Sequence, residues 1–375
     1  MNKKIIFSAG LIFHSSQYLK FFEKYQMYFV SSSNRAIKLK KKIKFRLVLN
    51  FLLFKIITRI LKRNYSNWMK EIDLYLYHSF FKIIKLFIKA NIVHGLPQFS
   101  EGMFKSFPKA FKILDCPDPP VKIVNKYLNK YGSEFYKFNK SHESKIIEKE
   151  KFEINNADLI IVPSTFTYNG FIDYGVDKRK LKLVPIHINE KVVENINYEK
   201  ESNEYVIGFF GGNVIRKGLH LLLEAFEINN LNYKLILKIS YNEIKKYDKL
   251  LKLIKKNKNI IIDTTYYKNI SEFYNKIDIL VHPAISDGFG MTVLEALYNN
   301  VPVIVSKNTG VSDYVKNDLN GYIIEAITPK EISDKIKLSL TNLKKLKQYI
   351  NQNKHELKKI KSIQENCLYQ IYKEI

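Results

Sequence analysis

Two acidic residues, Asp287 and Glu295, stand eight positions apart and are separated by a glycine-rich turn. The turn, Gly288-Phe289-Gly290, follows a short apolar run at 279–281 and precedes a segment at 291–298 with helical periodicity. A helix that begins at such a turn, after a parallel strand, presents unpaired backbone N–H groups to an anion. Both carboxylates can therefore border one crevice. The pattern predicts a ligand with phosphates at the helix end and hydroxyls on the carboxylates.

A second glycine turn supplies the matching cations. Gly211 and Gly212 follow an apolar run, and Arg216 and Lys217 precede a helical segment at 219–226. Glycine lets the backbone approach a ligand closely, arginine offers a two-pronged donor, and lysine adds a point charge. Such a turn alone is most often an ordinary strand-to-helix connection. Together with the acidic turn, it predicts a cradle for a diphosphate.

The elements that position these turns alternate between strand and helix in both halves of the chain, which predicts the α/β class with parallel sheets covered by helices. A polar stretch at 186–204 is interpreted as an interdomain linker, and the tail from Glu331 onward is predicted to be helical. The predicted strands lie at 3–9, 27–30, 92–95, 111–115, 157–164 and 181–185, then at 205–210, 234–239, 260–262, 279–281 and 301–305.

Length and composition favour a globular chain of two domains, with 375 residues of which 46% are hydrophobic. The two cysteines, Cys116 and Cys367, are too few for a disulfide framework, and we expect a cytoplasmic protein. The N-terminus is interpreted as a first core strand rather than a signal peptide.

The formal net charge of +26 is concentrated in one region. Between Arg35 and Lys89 there are 15 Lys and Arg residues but only two acids, so this segment holds half of the excess. Its lysines form helical stripes backed by large apolar residues, and none of its uncharged runs approaches the roughly 20 residues that span a bilayer. One interpretation is a pair of amphipathic helices that cover the sheet. The one we favour is a membrane-facing surface, within residues 38–89, that lies on anionic lipid.

A proline-set loop, Cys116-Pro-Asp118-Pro-Pro120, follows the predicted strand at 111–115. Loops after parallel strands commonly contact substrates, although a rigid connection without chemistry fits this loop equally well. His94 lies near the end of the predicted strand at 92–95. It is another candidate for a substrate contact, although the plainer interpretation is a hydrogen-bonded loop histidine.

The second half resembles the retaining glycosyltransferases of family 4, which have the GT-B fold. The resemblance rests on the turn at 211–218, the Asp287–Glu295 element, Pro302-Val-Ile, Gly310 and Asn320-Gly321, and it extends over about 157–325. It implies two Rossmann-like parallel-sheet domains facing across a cleft. It places an acceptor-binding domain at 1–187, a nucleotide-sugar-binding domain at 203–351, and a helix at 352–375 that crosses back to the first domain.

The resemblance also implies roles for individual residues. Glu295 would bind the ribose hydroxyls of a nucleotide-sugar, and Asp287 would lie at the transferred sugar. Arg216 and Lys217 would neutralise the diphosphate in place of a metal ion or other cofactor. The backbone of Gly288, Phe289, Gly290 and Met291 would meet sugar and phosphate, and Gly212 would lie in the turn that cradles the diphosphate. Gly10, after the first strand, would allow the first domain to approach the donor closely.

Three departures from the family pattern stand out. The first carboxylate is Asp287 rather than glutamate, which bears on the identity of the sugar. Gly212 stands where the family usually has arginine, so Arg216 is the candidate substitute. Where many members have a sugar-contacting histidine, this chain has the Cys116–Pro120 loop, which makes Asp118 a candidate second catalytic residue.

The predicted activity is transfer of a sugar from a nucleotide-sugar to a lipid-linked or polysaccharide acceptor, with retention, at the inner face of the membrane. Two alternatives stay open. One is another GT-B activity, such as an epimerase or a phosphorylase. The other is a non-catalytic scaffold that binds anionic lipid or nucleic acid. The absence of a nucleic-acid-binding motif beside the lysines is an argument against it.

Overall fold

The computed structural model of the chain describes residues 4–8, 26–30, 79, 81–132, 134–135, 140–188, 204–228, 231 and 233–375. These residues form two parallel β-sheets of six strands each and eleven α-helices. The predicted α/β class with two parallel-sheet domains is confirmed. Gly10 and most of the basic segment 38–89 lie outside the described residues.

The first sheet has the spatial order β2-β1-β3-β4-β5-β6, with every neighbouring pair parallel. Its strands read as apolar runs because helices cover the sheet and leave little surface for polar side chains. The strands are β1 (Lys4–Ser8), β2 (Gln26–Val30), β3 (Ile92–Gly95), β4 (Phe111–Asp115), β5 (Leu159–Val162) and β6 (Leu181–Leu183). The helices are α1 (Glu101–Ser106), α2 (Val121–Gly132), α3 (Lys140–Asn156) and α4 (Thr165–Tyr174).

The second sheet has the order β12-β11-β10-β7-β8-β9 and is also parallel throughout. Its strands are β7 (Val206–Phe210), β8 (Lys234–Lys238), β9 (Ile260–Asp263), β10 (Ile279–His282), β11 (Val303–Ser306) and β12 (Gly321–Ile324). The helices that follow are α5 (Leu219–Ile228), α6 (Tyr241–Ile244), α7 (Asp248–Lys256), α8 (Ser271–Tyr274), α9 (Met291–Tyr298), α10 (Pro329–Thr341) and α11 (Leu343–Glu374).

The strand order of the second sheet reverses between β7 and β10, which are hydrogen-bonded neighbours. In open parallel sheets, ligands bind outside the carboxyl ends of the strands at such a switch point. The turn at 211–218 leaves β7, and the loop at 283–290 leaves β10. Both predicted ligand-binding segments therefore lie at the switch point of the second sheet.

Two glutamates of α3 hold the loops at the carboxyl edge of the first sheet. Glu153 is fully buried and accepts the backbone N–H groups of Gln98, Ser100 and Glu101 at 2.6 to 2.9 Å. Glu150 accepts the Val121 N–H at 2.8 Å. Burial raises the pKa of each carboxyl to about 7, although the backbone N–H donors act in the opposite direction. These bonds fix the position of the loop that carries Asp118.

The last helix, α11, joins the two domains. It has 32 residues, and Ile350, Leu357 and Ile360 pack in the apolar cluster of the second domain. Near its other end, the buried Tyr372 places its hydroxyl 2.5 Å from Nδ1 of His94 in β3. The helix therefore begins against one domain and ends against the other.

Within the described chain, the basic segment is represented by residue 79 and residues 81–89. Residues 81–84 are helical, and Ile83, Leu86 and Phe87 are exposed next to exposed lysines. Among the helices that the structure describes, none combines the length and the apolar character needed to cross a bilayer.

Candidate functional site

The site forms where loops at the carboxyl edges of the two sheets meet. Ser164, two residues after β5, donates its hydroxyl to the Gly288 carbonyl at 2.7 Å. The Thr165 N–H, in the first domain, donates to Asp313 of the second at 2.9 Å. Beside these bonds, Val124 and Leu128 of α2 pack in the apolar cluster of the second domain. The two domains are thus in direct contact at this edge.

Arg216 and Asp118 form the central interdomain ion pair. Nη2 of Arg216 lies 2.7 Å from Oδ1 of Asp118, and Nη1 lies 3.3 Å from Oδ2, so the guanidinium binds the carboxylate in the two-pronged geometry. The Gly288 N–H also donates to Oδ1 of Asp118, at 2.9 Å. The carboxylate therefore occupies both an arginine and a backbone donor of the second domain.

Lys217 and Asp287 form a second ion pair beside the first. Nζ of Lys217 donates to Oδ2 of Asp287, and Nη2 of Arg216 lies 3.9 Å from Oδ1 of the same carboxylate. His282, at the end of β10, places Nε2 at 2.8 Å from Oδ2. In this structure the carboxylate of Asp287 is thus surrounded by three cationic or hydrogen-bonding side chains of its own domain.

The protonation states of Asp287 and His282 follow from their surroundings. Burial raises the pKa of the Asp287 carboxyl, but Lys217, His282 and Arg216 outweigh burial and hold that pKa well below its usual range. Burial lowers the pKa of His282, Asp287 raises it, and the two cations lower it again, with a net decrease. Asp287 is therefore ionised at neutral pH and His282 is neutral, which puts the imidazole proton on Nε2.

Glycine at 288 is required by the contact between the domains. A Cβ atom there would lie 1.8 Å from the Pro117 carbonyl oxygen and 2.7 Å from the Asp118 Cα. Gly290 has a φ of 90°, a backbone conformation that favours glycine, and it caps α9. The glycine turn thus has two roles, because it leaves room for the first-domain loop and begins the helix.

Glu295 lies one turn inside α9 and is partly exposed. The hydroxyl of Tyr274 donates to its Oε2 at 2.9 Å. Burial raises the pKa of the Glu295 carboxyl to about 7, while the hydrogen bond from Tyr274 lowers it. The carboxyl group is therefore poised between its neutral and ionised forms near pH 7.

The structure brings most of the predicted site residues to one place. The side chains of Asp118, Arg216, Lys217 and Asp287 form one connected set, and Gly288 joins it through its backbone. The remaining candidates lie around it with different exposures: Phe289 is buried, Met291 is partly exposed, and an added Cβ at Gly212 would meet no atom within 4 Å. Gly10 lies outside the described residues.

Sequence reasoning missed His282, Ser164 and Tyr274. His282 ends one buried parallel strand and Ser164 lies two residues after another, positions that could have singled them out. Tyr274 lies 21 residues before Glu295, in a segment without a motif, so no local pattern could have paired them. Within the part of the chain that the structure describes, no group of three His, Cys, Asp or Glu side chains could hold a metal ion.

Two parallel-sheet domains with loops that meet at their carboxyl edges define the GT-B fold. A crystal structure of Anabaena HepE in complex with UDP and glucose superimposes with a TM-score of 0.68 over 99% of this chain and 100% of HepE, at 13% identity. At this identity, the likeness establishes the fold alone.

Residues 194–356 match the family model described as "Glycosyl transferases group 1". The uncharacterized glycosyltransferase MJ1178 of Methanocaldococcus jannaschii is 29% identical over 227 residues, which is 60% of each chain. The capsular polysaccharide biosynthesis glycosyltransferase CapM of Staphylococcus aureus is 32% identical over 188 residues, 48% of this chain and 46% of CapM. The matches thus span about half the length of these relatives.

Proposed function

We propose that this chain is a retaining glycosyltransferase of family 4 that moves a hexose from a nucleotide-sugar to a lipid-linked or polysaccharide acceptor. One observation carries the proposal: two turns, one with Arg216 and Lys217 and one with Asp287 and Gly288, leave adjacent strands at the switch point and meet a loop of the other domain. An anion-binding turn beside carboxylates suits a diphosphate joined to sugars.

In the proposed reaction, the bond from the sugar C1 to the diphosphate oxygen breaks, and a bond from C1 to the acceptor oxygen forms on the same face. The acceptor proton passes to the leaving phosphate, so the protein supplies no nucleophile. Arg216 and Lys217 stabilise the charge that develops on the diphosphate, which is the largest contribution that such a site makes. Asp287 and Asp118 lie beside the sugar, and Glu295 holds the ribose.

The relatives support the proposed acceptor, and the exposed surface supports the proposed location. CapM is described as acting in capsular polysaccharide biosynthesis, and HepE was crystallised with UDP and glucose. For this chain we propose a cell-surface glycan or its lipid-linked precursor as acceptor. The exposed Leu86 and Phe87 and the lysines around them favour a peripheral position on the cytoplasmic face of the membrane. Nucleic acid is not a proposed partner, and the proposed reaction uses no metal ion.

Thermal unfolding with a panel of nucleotide-sugars tests the proposal. A donor at a hundred times its Kd stabilises the folded chain by about 2.7 kcal/mol, enough to raise Tm by several degrees. We expect one nucleotide-sugar to do so for the wild type and to raise the Tm of Glu295→Gln by a smaller amount. The exposed carboxylate Glu272 gives the matched control, Glu272→Gln, which should respond like the wild type. Absence of any response across the panel would contradict the proposal, and turnover that required inorganic phosphate would identify a phosphorylase instead.

A further inference from the structure

Tyr274 connects the second domain's interior to Glu295. It lies on the short helix α8, its side chain is fully buried, and it reaches the first turns of α9. The ring centroids of Phe210 and Phe273 lie 6.3 and 5.4 Å from its own, so the ring is held by aromatic contacts. The packing of the ring thus fixes the position of its hydroxyl.

That hydroxyl has two acceptors and one proton. Oε2 of Glu295 and the carbonyl oxygen of Thr292 both lie 2.9 Å away. When Glu295 is ionised, the phenol donates to the carboxylate, the stronger of the two acceptors. When Glu295 is protonated, its carboxyl can donate to the phenol oxygen, and the phenol turns to the Thr292 carbonyl. The carboxyl group keeps a partner, and hence its orientation, in both states.

Within the described residues, Glu295 has its hydrogen bond at Oε2 only, and the residue is partly exposed. Oε1 is therefore left for a ligand. We propose that Tyr274 is a positioning residue for nucleotide binding, whose hydroxyl fixes Glu295 so that Oε1 accepts the ribose hydroxyls of the donor. The inference rests on the proposed function, because it assumes that a nucleotide occupies this site.

The chemistry of the pair supports this role. Burial, with Glu295 nearby, raises the pKa of Tyr274 well above its ordinary value, so the phenol stays a donor throughout the neutral range. A carboxylate held by one donor loses less conformational freedom when a ligand binds to its other oxygen. A glutamate without this hydrogen bond would have to be ordered by the nucleotide itself.

The test compares nucleoside diphosphates with and without ribose hydroxyls. UDP, GDP and ADP are titrated calorimetrically against the full chain, and the one that binds is compared with its 2′,3′-dideoxy form. We expect Tyr274→Phe to weaken binding of the ribonucleotide about tenfold and to leave binding of the dideoxy form unchanged. A merely structural defect would weaken both forms alike, so equal losses would overturn the proposal.

The reciprocal variant and a matched control complete the design. Glu295→Gln should lose the same discrimination, and Tyr274→Phe/Glu295→Gln should lose no more than either single variant. Tyr322→Phe removes another buried phenol hydroxyl, one bonded to Asp318, and should bind like the wild type. Additive losses in the double variant would contradict the proposal. If Tyr274→Phe alone were poorly folded, Glu295→Gln would still test the same discrimination.

A pH series distinguishes positioning from packing. With UDP-glucose, which has no phosphate that titrates near neutrality, binding to the wild type should strengthen as the pH rises through about 7 and Glu295 ionises. In Tyr274→Phe the midpoint should move to higher pH, because the carboxylate has lost its donor. An unchanged midpoint would overturn the proposal. If none of the diphosphates binds the wild type, the proposed function fails and this inference fails with it.

Discussion

Charge is balanced within the site, since two cations face two carboxylates. Arg216 pairs with Asp118, Lys217 pairs with Asp287, and the two pairs touch through the 3.9 Å approach of Arg216 to Asp287. A diphosphate donor would bring two more negative charges to the same cations. The Asp118 carboxylate is the one that a ligand can most readily displace, because it comes from the other domain and is partly exposed.

Asp118 is therefore expected to compete with the donor for Arg216 and for the Gly288 N–H. Asp118→Asn removes the negative charge and keeps one acceptor oxygen. The Kd of the nucleotide-sugar identified in the thermal panel should fall by about tenfold, which corresponds to roughly 1.4 kcal/mol. Calorimetric titration at low and high salt measures this, and the gain should shrink with salt because it is electrostatic.

A second interdomain carboxylate provides the control for this variant. Asp313 accepts from the backbone N–H and the hydroxyl of Thr165 across the same interface, whereas Arg216 pairs with Asp118 and approaches Asp287. Asp313→Asn should leave the Kd within twofold of the wild type, a difference of about 0.4 kcal/mol. Equal tightening in both variants would mean that loosening the interface, rather than removing a competing anion, drives the effect.

How far the sequence predicts the site depends on the kind of contact. The types and spacing of Arg216, Lys217, Asp287 and Gly288 were sufficient to place them together, because both turns leave parallel strands of one sheet. The pairing of Asp118 with Arg216 could not be predicted, since it joins residues 98 positions apart across two domains. The proposed roles of all these residues remain predictions.

At the scale of elements, the glycine turn before α9 fits against the loop Cys116–Pro120 of the first domain. The carbonyl oxygen of Pro117 stands 1.8 Å from the point that a Cβ at residue 288 would occupy. This contact cannot survive a side chain without movement of backbone. The separation of the two domains is therefore set at Gly288.

Gly288→Ala should hold the domains apart. A misplacement of about 1 Å at the site lowers turnover by about a hundredfold, and we expect at least this loss of kcat/KM. Small-angle scattering should show a larger radius of gyration than for the wild type. Gly212→Ala is the control for compactness, because no atom lies within 4 Å of its added Cβ. A compact, fully active Gly288→Ala chain would contradict this account of the interface.

Most of the strands were predictable, and the exceptions have physical reasons. Strands β7, β10 and β11 consist mainly of Val, Ile, Leu and Phe, as expected for strands buried on both faces. Strand β12 was missed because it begins with Gly321, and its short run follows the polar turn 316–320. The charged stretch 121–156 contains two helices, α2 and α3, and the first of them ends at Gly132.

At the scale of the whole molecule, the basic and apolar surface at 82–89 lies on the first domain. Lys82, Lys85 and Lys89 are exposed and alternate with the exposed Ile83, Leu86 and Phe87. Phe81 and Ile84 are buried in the core of that domain, so the segment is anchored to the fold. The predicted contact with anionic lipid thus has a rigid support.

Flotation with phospholipid vesicles tests this contact. Each lysine near an anionic surface contributes about 1 kcal/mol, so replacing Lys82, Lys85 and Lys89 with serine should weaken binding to phosphatidylglycerol vesicles by about a hundredfold. Leu86→Ser/Phe87→Ser should weaken vesicle binding as well, and salt should not change this loss, since apolar insertion is not screened.

The control replaces three exposed lysines of α11, Lys344, Lys345 and Lys358, with serine. This change lowers the net charge equally and should have little effect on binding. If both lysine triples weakened binding alike, the total charge of the chain, and not this surface, would account for its attraction to the membrane.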